Sequence, residues 1–211
     1  MRSTSRRFPL ASVALVAAIG CLTKPALVSR SFTIDPPAPR SAGSPGGVIL
    51  TVARVDVLPP FSGQALVYRL GEHGFERDPY ARFAAPPSWL LTVAIRGYLA
   101  NADFVRDVVA PGDGARSDAT IQASVLQMAG DLRGNESSAV LTLRFRVLSG
   151  PAVRERPVIL LKTYSKTVPI TRSSARDVVD AWNQGLAEIM AEFQADLQTA
   201  LTAGASDSAR R

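Results

Sequence analysis

The feature that most constrains the fold is a long amphipathic segment near the C-terminus, between about Ser174 and Thr202. Its large apolar residues recur at steps of four or three, which places them on one stripe of an α-helix. These residues are Val178, Trp182, Leu186, Ile189, Phe193, Leu197 and Leu201. Ser173 or Ser174 can cap the helix. The polar side is acidic, unlike that of a membrane-surface helix, so the stripe predicts a helix packed against a core.

Segments that alternate between apolar and polar residues precede this helix and predict the sheet beneath it. The clearest are residues 119–132 and 138–148, joined by Arg133-Gly134-Asn135-Glu136, whose Gly and Asn suit a hairpin loop. In the second segment one face is apolar and the other polar, so one side packs and the other meets water. Further strands are predicted at 48–57, 65–70, 75–80, 104–109 and 158–170.

A shorter helix is predicted between these strands. Pro86-Pro87 marks a break, Ser88 can cap the helix, and the helix runs from about Trp89 to Ala100. The residues expected on its packed side are Leu90, Val93, Ala94 and Gly97. The order of elements predicts one α/β (α+β) domain, in which a mixed or antiparallel sheet is packed by two helices and the longer helix is C-terminal.

The N-terminus has the layout of an export signal. Arg2, Arg6 and Arg7 precede an almost wholly apolar stretch, residues 8–19, which is shorter than the ~20 residues that cross a bilayer as a helix. Its end, Ala18-Ile19-Gly20-Cys21, resembles the bacterial lipobox, in which a peptidase cuts before a lipidated cysteine. Residues 1–20 are therefore predicted to be a lipoprotein signal peptide, and Cys21 the lipidated first residue of the mature chain.

Cys21 is the only cysteine, so it cannot form a disulfide within the chain. Several acyl chains on one residue give a stable anchor, because each buried methylene contributes ~0.8 kcal/mol. Leu22 follows the cysteine, where an Asp would resemble an inner-membrane retention signal, so the outer membrane is favoured. The alternatives are an uncleaved N-terminal anchor and an ordinary secretory signal cut nearby.

Residues 21–47 are rich in Pro, Ser, Gly and Ala and show no sustained periodicity, which predicts a flexible tether after the lipidated cysteine. Within it, Phe32-Thr33-Ile34-Asp35-Pro36-Pro37, named here the FTIDPP segment, is an apolar island that can add an edge strand. The folded domain is predicted at 48–202. Residues 203–211 are expected to be a disordered tail.

Composition supports a folded domain and excludes one class of partner. Hydrophobic residues make up 46% of the 211-residue chain, which is enough for one domain with a sizeable core. The formal net charge is +6, and three of these charges leave with the signal, so the mature chain carries +3. This excess suits anionic lipid head groups and is too weak to indicate nucleic acid.

A search for catalytic or metal-binding patterns finds none. The one histidine, His73, lies in a glycine-flanked loop without metal-ligand spacing, so an exposed loop residue is expected. Gly112-x-Gly114 follows a strand, but another strand comes next, which favours a turn over a phosphate-binding loop. No catalytic residue, cofactor or metal site is therefore predicted.

Three polar patterns have weaker functional alternatives. Glu188 and Glu192 lie one helical turn apart and can in principle act as acid and base, but a solvated helix face explains them better. Asn135-Glu136-Ser137 fits a glycosylation sequon, which has no meaning in a bacterial lipoprotein. Arg144 and Arg146 share one strand face and can contact lipid phosphates or an acidic partner, with simple solvation as the favoured alternative.

Several stretches resemble the auxiliary lipoproteins of ABC-type lipid transporters, the PqiC-like group. The FTIDPP segment resembles the tyrosine-x-leucine-aspartate-proline segment that follows the lipidated cysteine in that group. Val67-Tyr68-Arg69 matches its apolar-Tyr-Arg strand. Tyr80-Ala81-Arg82-Phe83-Ala84-Ala85-Pro86-Pro87 resembles its approach to the first helix, with Phe83 where Trp is usual. With the lipobox and the final helix, the resemblance covers nearly the whole mature chain.

This resemblance implies a periplasmic, non-enzymatic component of an MCE-type ABC lipid transport system that docks the trans-envelope assembly at the outer membrane. It implies a homo-oligomeric α/β domain whose partners are an MCE-domain protein and its ABC permease. Cys21 would be the lipid anchor that binds the membrane. The shared surface or structural motif would consist of Tyr68, Arg69, Tyr80, Arg82 and Phe83.

Other interpretations stay open from the sequence. A different envelope-assembly lipoprotein, such as a lipopolysaccharide or secretin assembly factor, can use a similar domain, and an enzyme with an unrecognised site is a second class. A lipid-carrying domain would need an apolar cavity. A structural role for the motif is the other interpretation, with its aromatic residues packed under the first helix and Arg69 paired internally.

Overall fold

Two helices on one mixed sheet form the fold in the computed structural model, which describes residues 29–38, 47–134, 136–150 and 157–208. The described strands are β1 Arg30–Phe32, β2 Val48–Val52, β3 Asp56–Val57, β4 Ala65–Arg69, β5 Phe75–Phe83, β6 Val105–Val109, β7 Ala119–Asp131, β8 Ser138–Ser149 and β9 Val158–Pro169. The helices are α1 Pro87–Ala100 and α2 Ala175–Ser208. The predicted α+β arrangement, with the longer helix C-terminal, is confirmed.

Strand β7 organises the sheet. Along one side it pairs antiparallel with β8, from Ala119 opposite Ser149 to Asp131 opposite Ser138. Along the other side it pairs in parallel with β2, β3 and β4 in turn. Strand β6 continues the sheet from β2, β5 and β1 continue it from β4, and β9 pairs antiparallel with β8. The predicted hairpin between the two longest alternating segments is present.

The strand predicted at 48–57 is interrupted after Val52. Its backbone leaves the regular ladder because side chains of α1 form hydrogen bonds with two of its backbone polar groups. The N–H of Val55 donates to Thr92 Oγ1 at 2.9 Å, and Arg96 Nη2 donates to the carbonyl of Val52 at 2.6 Å. The single continuous strand was therefore wrong at residues 53–55, since side chains of a distant helix satisfy backbone groups that a ladder would otherwise pair.

Helix α2 buries the apolar stripe that the sequence predicts. The stripe residues from Val178 to Leu197 are each at most 1% exposed. Among them, Phe193 stacks on Phe145 of β8 with ring centroids 4.0 Å apart. Each such side chain contributes about 1.5–3 kcal/mol when removed from water. At the N-terminus Ser174 Oγ accepts a hydrogen bond from the N–H of Asp177 at 3.2 Å, which confirms the cap.

The end of α2 differs from the sequence prediction. Helical backbone continues past Thr202 to Ser208, through most of the stretch that was assigned to a disordered tail.

Helix α1 is rotated relative to the prediction. Its buried residues include Leu91, Ile95 and Leu99, which follow each other at steps of four. Val93 is 48% exposed and Gly97 is also exposed, so their predicted place on the packed side is wrong. Ser88 does not cap the helix; its hydroxyl accepts a hydrogen bond from Arg54 Nη2 at 3.2 Å instead.

The orientation of α1 can be tested by two alanine substitutions. Ile95→Ala should lower the free energy of unfolding by about 2–5 kcal/mol, because it leaves a cavity in the core. Val93→Ala should change it by no more than about 0.5 kcal/mol, because that side chain faces solvent. Urea unfolding followed by circular dichroism measures both, and equal losses in the two variants would contradict the orientation described here.

Candidate functional site

The FTIDPP segment is docked on the folded domain. Strand β1 ends at Phe32, which lies opposite Phe83 in a parallel pairing with β5. Beyond it Ile34 is 6% exposed, and the N–H of Asp35 donates to Asn183 Oδ1 of α2 at 2.9 Å. An edge strand is therefore present, but residues 30–32 form it, and only Phe32 belongs to the FTIDPP segment. Residues 30–35 contact the domain, although the sequence predicts a tether over them. Cys21 lies outside the described residues.

Asp78 joins two of the predicted motif residues into one cluster. Its Oδ2 accepts a hydrogen bond from the Tyr68 hydroxyl at 3.1 Å. Its Oδ1 accepts the backbone N–H groups of Tyr80 at 2.8 Å and Ala81 at 2.9 Å. The sequence analysis missed Asp78. The signal that could have found it is Asp78-Pro79 inside a strand, since an aspartate there often bonds to the backbone two residues on.

Tyr68 is held between Asp78 and β7. A methyl group placed on Gly130 would lie only 2.8 Å from Tyr68 Cδ1, so the ring occupies the space that glycine leaves free. Burial, and then the neighbouring Asp78 carboxylate, raise the pKa of the Tyr68 hydroxyl well above its ordinary value. The hydroxyl therefore remains protonated and acts as a hydrogen-bond donor within the fold.

Arg69 and Phe83 also have structural roles. Arg69 donates from Nε to the carbonyl of Gly71 at 3.3 Å and from Nη2 to the carbonyl of Glu72 at 2.8 Å, which holds the turn after β4. Phe83 is 2% exposed, and its ring centroid lies 5.8 Å from that of Trp182 in α2. The aromatic packing expected beneath the first helix is thus made with the second helix.

Tyr80 and Arg82 are the solvent-facing members of the motif. Tyr80 is 47% exposed and Arg82 is exposed, whereas Ala81 and Phe83, on the other face of β5, are buried. The structure therefore divides the motif. Tyr68, partly buried, links β4 to β5 through Asp78, and the buried Phe83 links β5 to α2. The side chains of Tyr80 and Arg82 remain accessible to a partner.

The remaining chemical candidates have simple structural explanations. The His73 side chain is 97% exposed, and its nearest carboxylate, that of Glu72, is 4.0 Å away. Gly112 and Gly114 have φ values of 94° and 73° and form a turn between β6 and β7, as predicted. Among the described residues, no group of three His, Cys, Asp or Glu side chains is placed to hold a metal ion.

The two glutamates considered as an acid–base pair are engaged in ion pairs at the surface of α2. Lys166 Nζ lies 2.5 Å from Glu192 and 3.7 Å from Glu188. One turn further along, Asp196 accepts hydrogen bonds from Lys162 at 2.7 Å and from the Tyr164 hydroxyl at 2.6 Å. This polar seam joins α2 to β9. The solvated-face interpretation therefore holds, with partners on the neighbouring strand.

An open cleft of about 620 Å³ lies beside the loop of residues 110–117, next to β2 and β7. Its lining is mostly small or apolar, including Ala53, Ala110 and Pro111. Asp113 Oδ2 accepts the N–H of Ala110 at 2.7 Å and so holds the loop in place. The charged residues that line the cleft are Asp113 and Arg116.

Neither helix, over the residues described, combines the length and apolar character that crossing a bilayer requires. The family model for the ABC-type transport auxiliary lipoprotein component matches residues 32–193. The chain belongs to this family. The match begins inside the FTIDPP segment and ends at Phe193, so it spans the docked N-terminal segment, the sheet and most of α2. Auxiliary lipoproteins of this family are components of transport systems, and the family name carries no enzymatic activity.

Solved structures support the fold of this auxiliary lipoprotein. Protein XCC0632 from Xanthomonas campestris, of the family DUF330, is 18% identical with a TM-score of 0.68, and the match covers 84% of this chain and 99% of that one. The hypothetical protein CT253 from Chlamydia trachomatis is 10% identical with a TM-score of 0.51, covering 74% and 99%. No curated protein matches the chain.

The Asp78 cluster should make a measurable contribution to stability. Asp78→Ala leaves three donors without their acceptor and should lower the free energy of unfolding by about 1–3 kcal/mol. Tyr68→Phe should lower the free energy of unfolding less in the Asp78→Ala variant than in the wild type, because the two side chains share one hydrogen bond. Urea unfolding of the single and double variants measures this coupling. Asp103→Ala, which removes a carboxylate at an exposed position, is the control. If the effects of Tyr68→Phe and Asp78→Ala on the free energy of unfolding simply add, the two side chains are not coupled and the cluster is contradicted.

Asp196 should make stability depend on pH. Its hydrogen bonds from Lys162 and then Tyr164 hold the pKa of the carboxyl below its usual value. A carboxyl with a lowered pKa in the folded state stabilises the protein above its unfolded pKa of about 3.9, and this contribution is lost as the pH falls through the folded pKa. The stability difference between the wild type and Asp196→Asn should therefore be constant above about pH 5 and shrink below about pH 4. Thermal unfolding between pH 2.5 and 7 tests this. A difference that does not change over that range would show that the seam does not bind the ionised carboxylate.

Proposed function

We propose that this chain is the lipid-anchored auxiliary component of an MCE-type ABC lipid transport system and docks the trans-envelope assembly at the outer membrane. The observation that carries the proposal is the family match over residues 32–193, which makes the chain an auxiliary component of ABC-type transport. The lipobox-like end of the N-terminal signal adds a membrane anchor at Cys21. A non-enzymatic role suits both, because a docking component needs surfaces and an anchor.

The docked N-terminal segment supports work close to the membrane. Arg30 lies nine residue steps after Cys21, and nine steps reach at most about 30 Å when fully extended. Arg30 and Arg176 line one surface depression with Phe32, beside the point where this linker joins the domain. Two cations at that position suit anionic lipid head groups. The domain would therefore stay near the periplasmic surface of the membrane that holds its anchor.

The exposed members of the motif are the proposed contact residues for the transport assembly. Tyr80 and Arg82 project from β5 toward solvent, and a tyrosine with an arginine is a pair enriched at protein interfaces. The partners in this proposal are an MCE-domain protein and its ABC permease. Further copies of the chain form a homo-oligomer with it.

The deciding experiment is a crosslinked pull-down of the mature protein from envelope membranes, with its partners identified by mass spectrometry. We expect recovery of an MCE-domain protein and its ABC permease. Cys21→Ser should abolish incorporation of labelled fatty acid and weaken that recovery, because the anchor no longer concentrates the domain at the membrane. Recovery of a secretin or a lipopolysaccharide-assembly barrel in place of these partners would favour the assembly-factor alternative and reject the proposal.

A further inference from the structure

Strand β9 forms an open edge of the sheet. It extends over twelve residues and pairs with β8 alone among the described strands. Its sequence is rich in branched and aromatic residues that favour extended structure, and its only proline is the last residue, Pro169. A long strand of this kind presents unpaired backbone groups to any chain that can pair with it.

The register identifies which backbone groups of β9 point away from β8. The N–H of Ile170 donates to the carbonyl of Ser137, so these two residues form a hydrogen-bonded pair. In an antiparallel ladder such pairs alternate with non-bonded pairs. The register of β8 and β9 then directs a set of N–H and C=O groups away from β8. They belong to Leu161, Thr163, Ser165 and Thr167.

The usual protection against pairing is weak along this edge. Natural edge strands are often guarded by outward lysines, prolines or bulges. Here Lys162 and Lys166 turn toward α2, where Asp196 and Glu192 neutralise them. The register irregularity lies at the start of the strand, opposite Val147 and Leu148, so the ladder is regular from there to Pro169.

The outer face beside this edge is cationic. Arg144 and Arg146 of β8 are exposed, and no salt bridge joins either one to a carboxylate of the described residues. Arg144 Nε donates to Thr163 Oγ1 at 3.4 Å, so its guanidinium leans over β9 toward the free edge. Arg146 lies opposite Leu161, which is 63% exposed. Two guanidinium groups that have no carboxylate partner among the described residues thus accompany the outward-facing backbone groups.

We propose that the β9 edge binds an extended, acidic segment of another protein, which pairs with β9 as a further strand. Side chains on one face of a strand are two residues, or about 6.6 Å, apart, so carboxylates at alternate positions would meet Arg144 and Arg146. The backbone groups provide affinity and the arginines provide selectivity. This proposal goes beyond the proposed function, since it does not depend on what the system transports.

Charge complementarity favours this occupant over a second copy or a membrane. A second β9 would bring Lys162 and Lys166 but no carboxylate, so it would leave both arginines unpaired. A lipid surface offers phosphates but no backbone groups for the residues that face outward. An acidic extended segment satisfies both sets of groups.

A defined peptide provides the test. The probe is a fluorescent twelve-residue peptide of alternating Glu and Val, and the matched peptide has Gln for Glu. Binding to the full mature protein is measured by fluorescence anisotropy. We expect the Glu peptide to bind more tightly, and Arg144→Gln with Arg146→Gln to weaken it about tenfold or more. Arg77→Gln with Arg106→Gln, two exposed arginines on other strands, removes the same charge and should leave binding unchanged.

The edge itself is tested by Thr163→Pro, which removes an N–H that points away from β8. This variant should keep its circular dichroism spectrum and lose peptide binding; if it does not fold, Thr163→Asp, which repels the Glu peptide, replaces it. Bound peptide should also slow amide hydrogen exchange at Leu161, Thr163, Ser165 and Thr167, as followed by NMR, and leave the intervening amides unchanged.

Three results would overturn the proposal. The first is no binding of the Glu peptide, or binding that survives the Thr163 variants. The second is Arg144- and Arg146-dependent binding to phosphatidylglycerol vesicles without peptide binding, which would assign the face to lipid. The third is a change in oligomeric mass in Thr163→Pro, measured by light scattering, which would assign the edge to a second copy.

Discussion

The burial of the α2 stripe against β7, β8 and β9 is the interaction on which the rest of the structure depends. It covers one face of β8 and β9, where Phe193 stacks on Phe145. Because α2 covers only that face, the alternate residues of β8 and β9 are left toward solvent. The same helix holds the N-terminal segment through Asn183 and packs Phe83 through Trp182. One helix thus fixes the core, the N-terminal connection and the position of the open surfaces.

The parts that the sequence predicts well are those in which one pattern repeats over many residues. Strands β7 and β8 extend over 13 and 12 residues and helix α2 over 34, so a few exceptions to the pattern do not change the interpretation. Helix α1 is short and apolar on several sides, because Trp89 and Val93 remain exposed beside a buried Leu91 and Ile95, and its orientation could not be read from spacing. The break after Val52 depends on Thr92 and Arg96, which are distant in sequence. Asp78 was missed for a related reason, since its partners become neighbours only when β4 and β5 pair.

The motif shared with the PqiC-like group has two parts with different physical roles. Tyr68, Arg69 and Phe83 form hydrogen bonds or pack within the domain, so fold stability alone explains them. Tyr80 and Arg82 do not contribute to the core, so they are the members of the motif that can contact another protein. The sequence could not separate these roles, because alternation along β5 is disturbed by Asp78-Pro79 and only the structure shows which residues face inward. The resemblance to the family therefore identifies the motif residues, and their burial in the structure separates the packed ones from the exposed ones.

The docking of the FTIDPP segment also sets how far the domain can move from a membrane anchor. With Cys21 as the proposed anchor, a free chain up to Gly47 would reach about 90 Å, whereas the docked segment limits the reach to about 30 Å. For a flexible linker the effective concentration falls roughly as the −3/2 power of linker length, so docking, which shortens the linker from 26 to nine residue steps, would raise the effective concentration of the domain at the membrane roughly fivefold. Three paired residues of a short edge strand, with one amide hydrogen bond to α2, would then set the encounter rate with anything held in the same membrane.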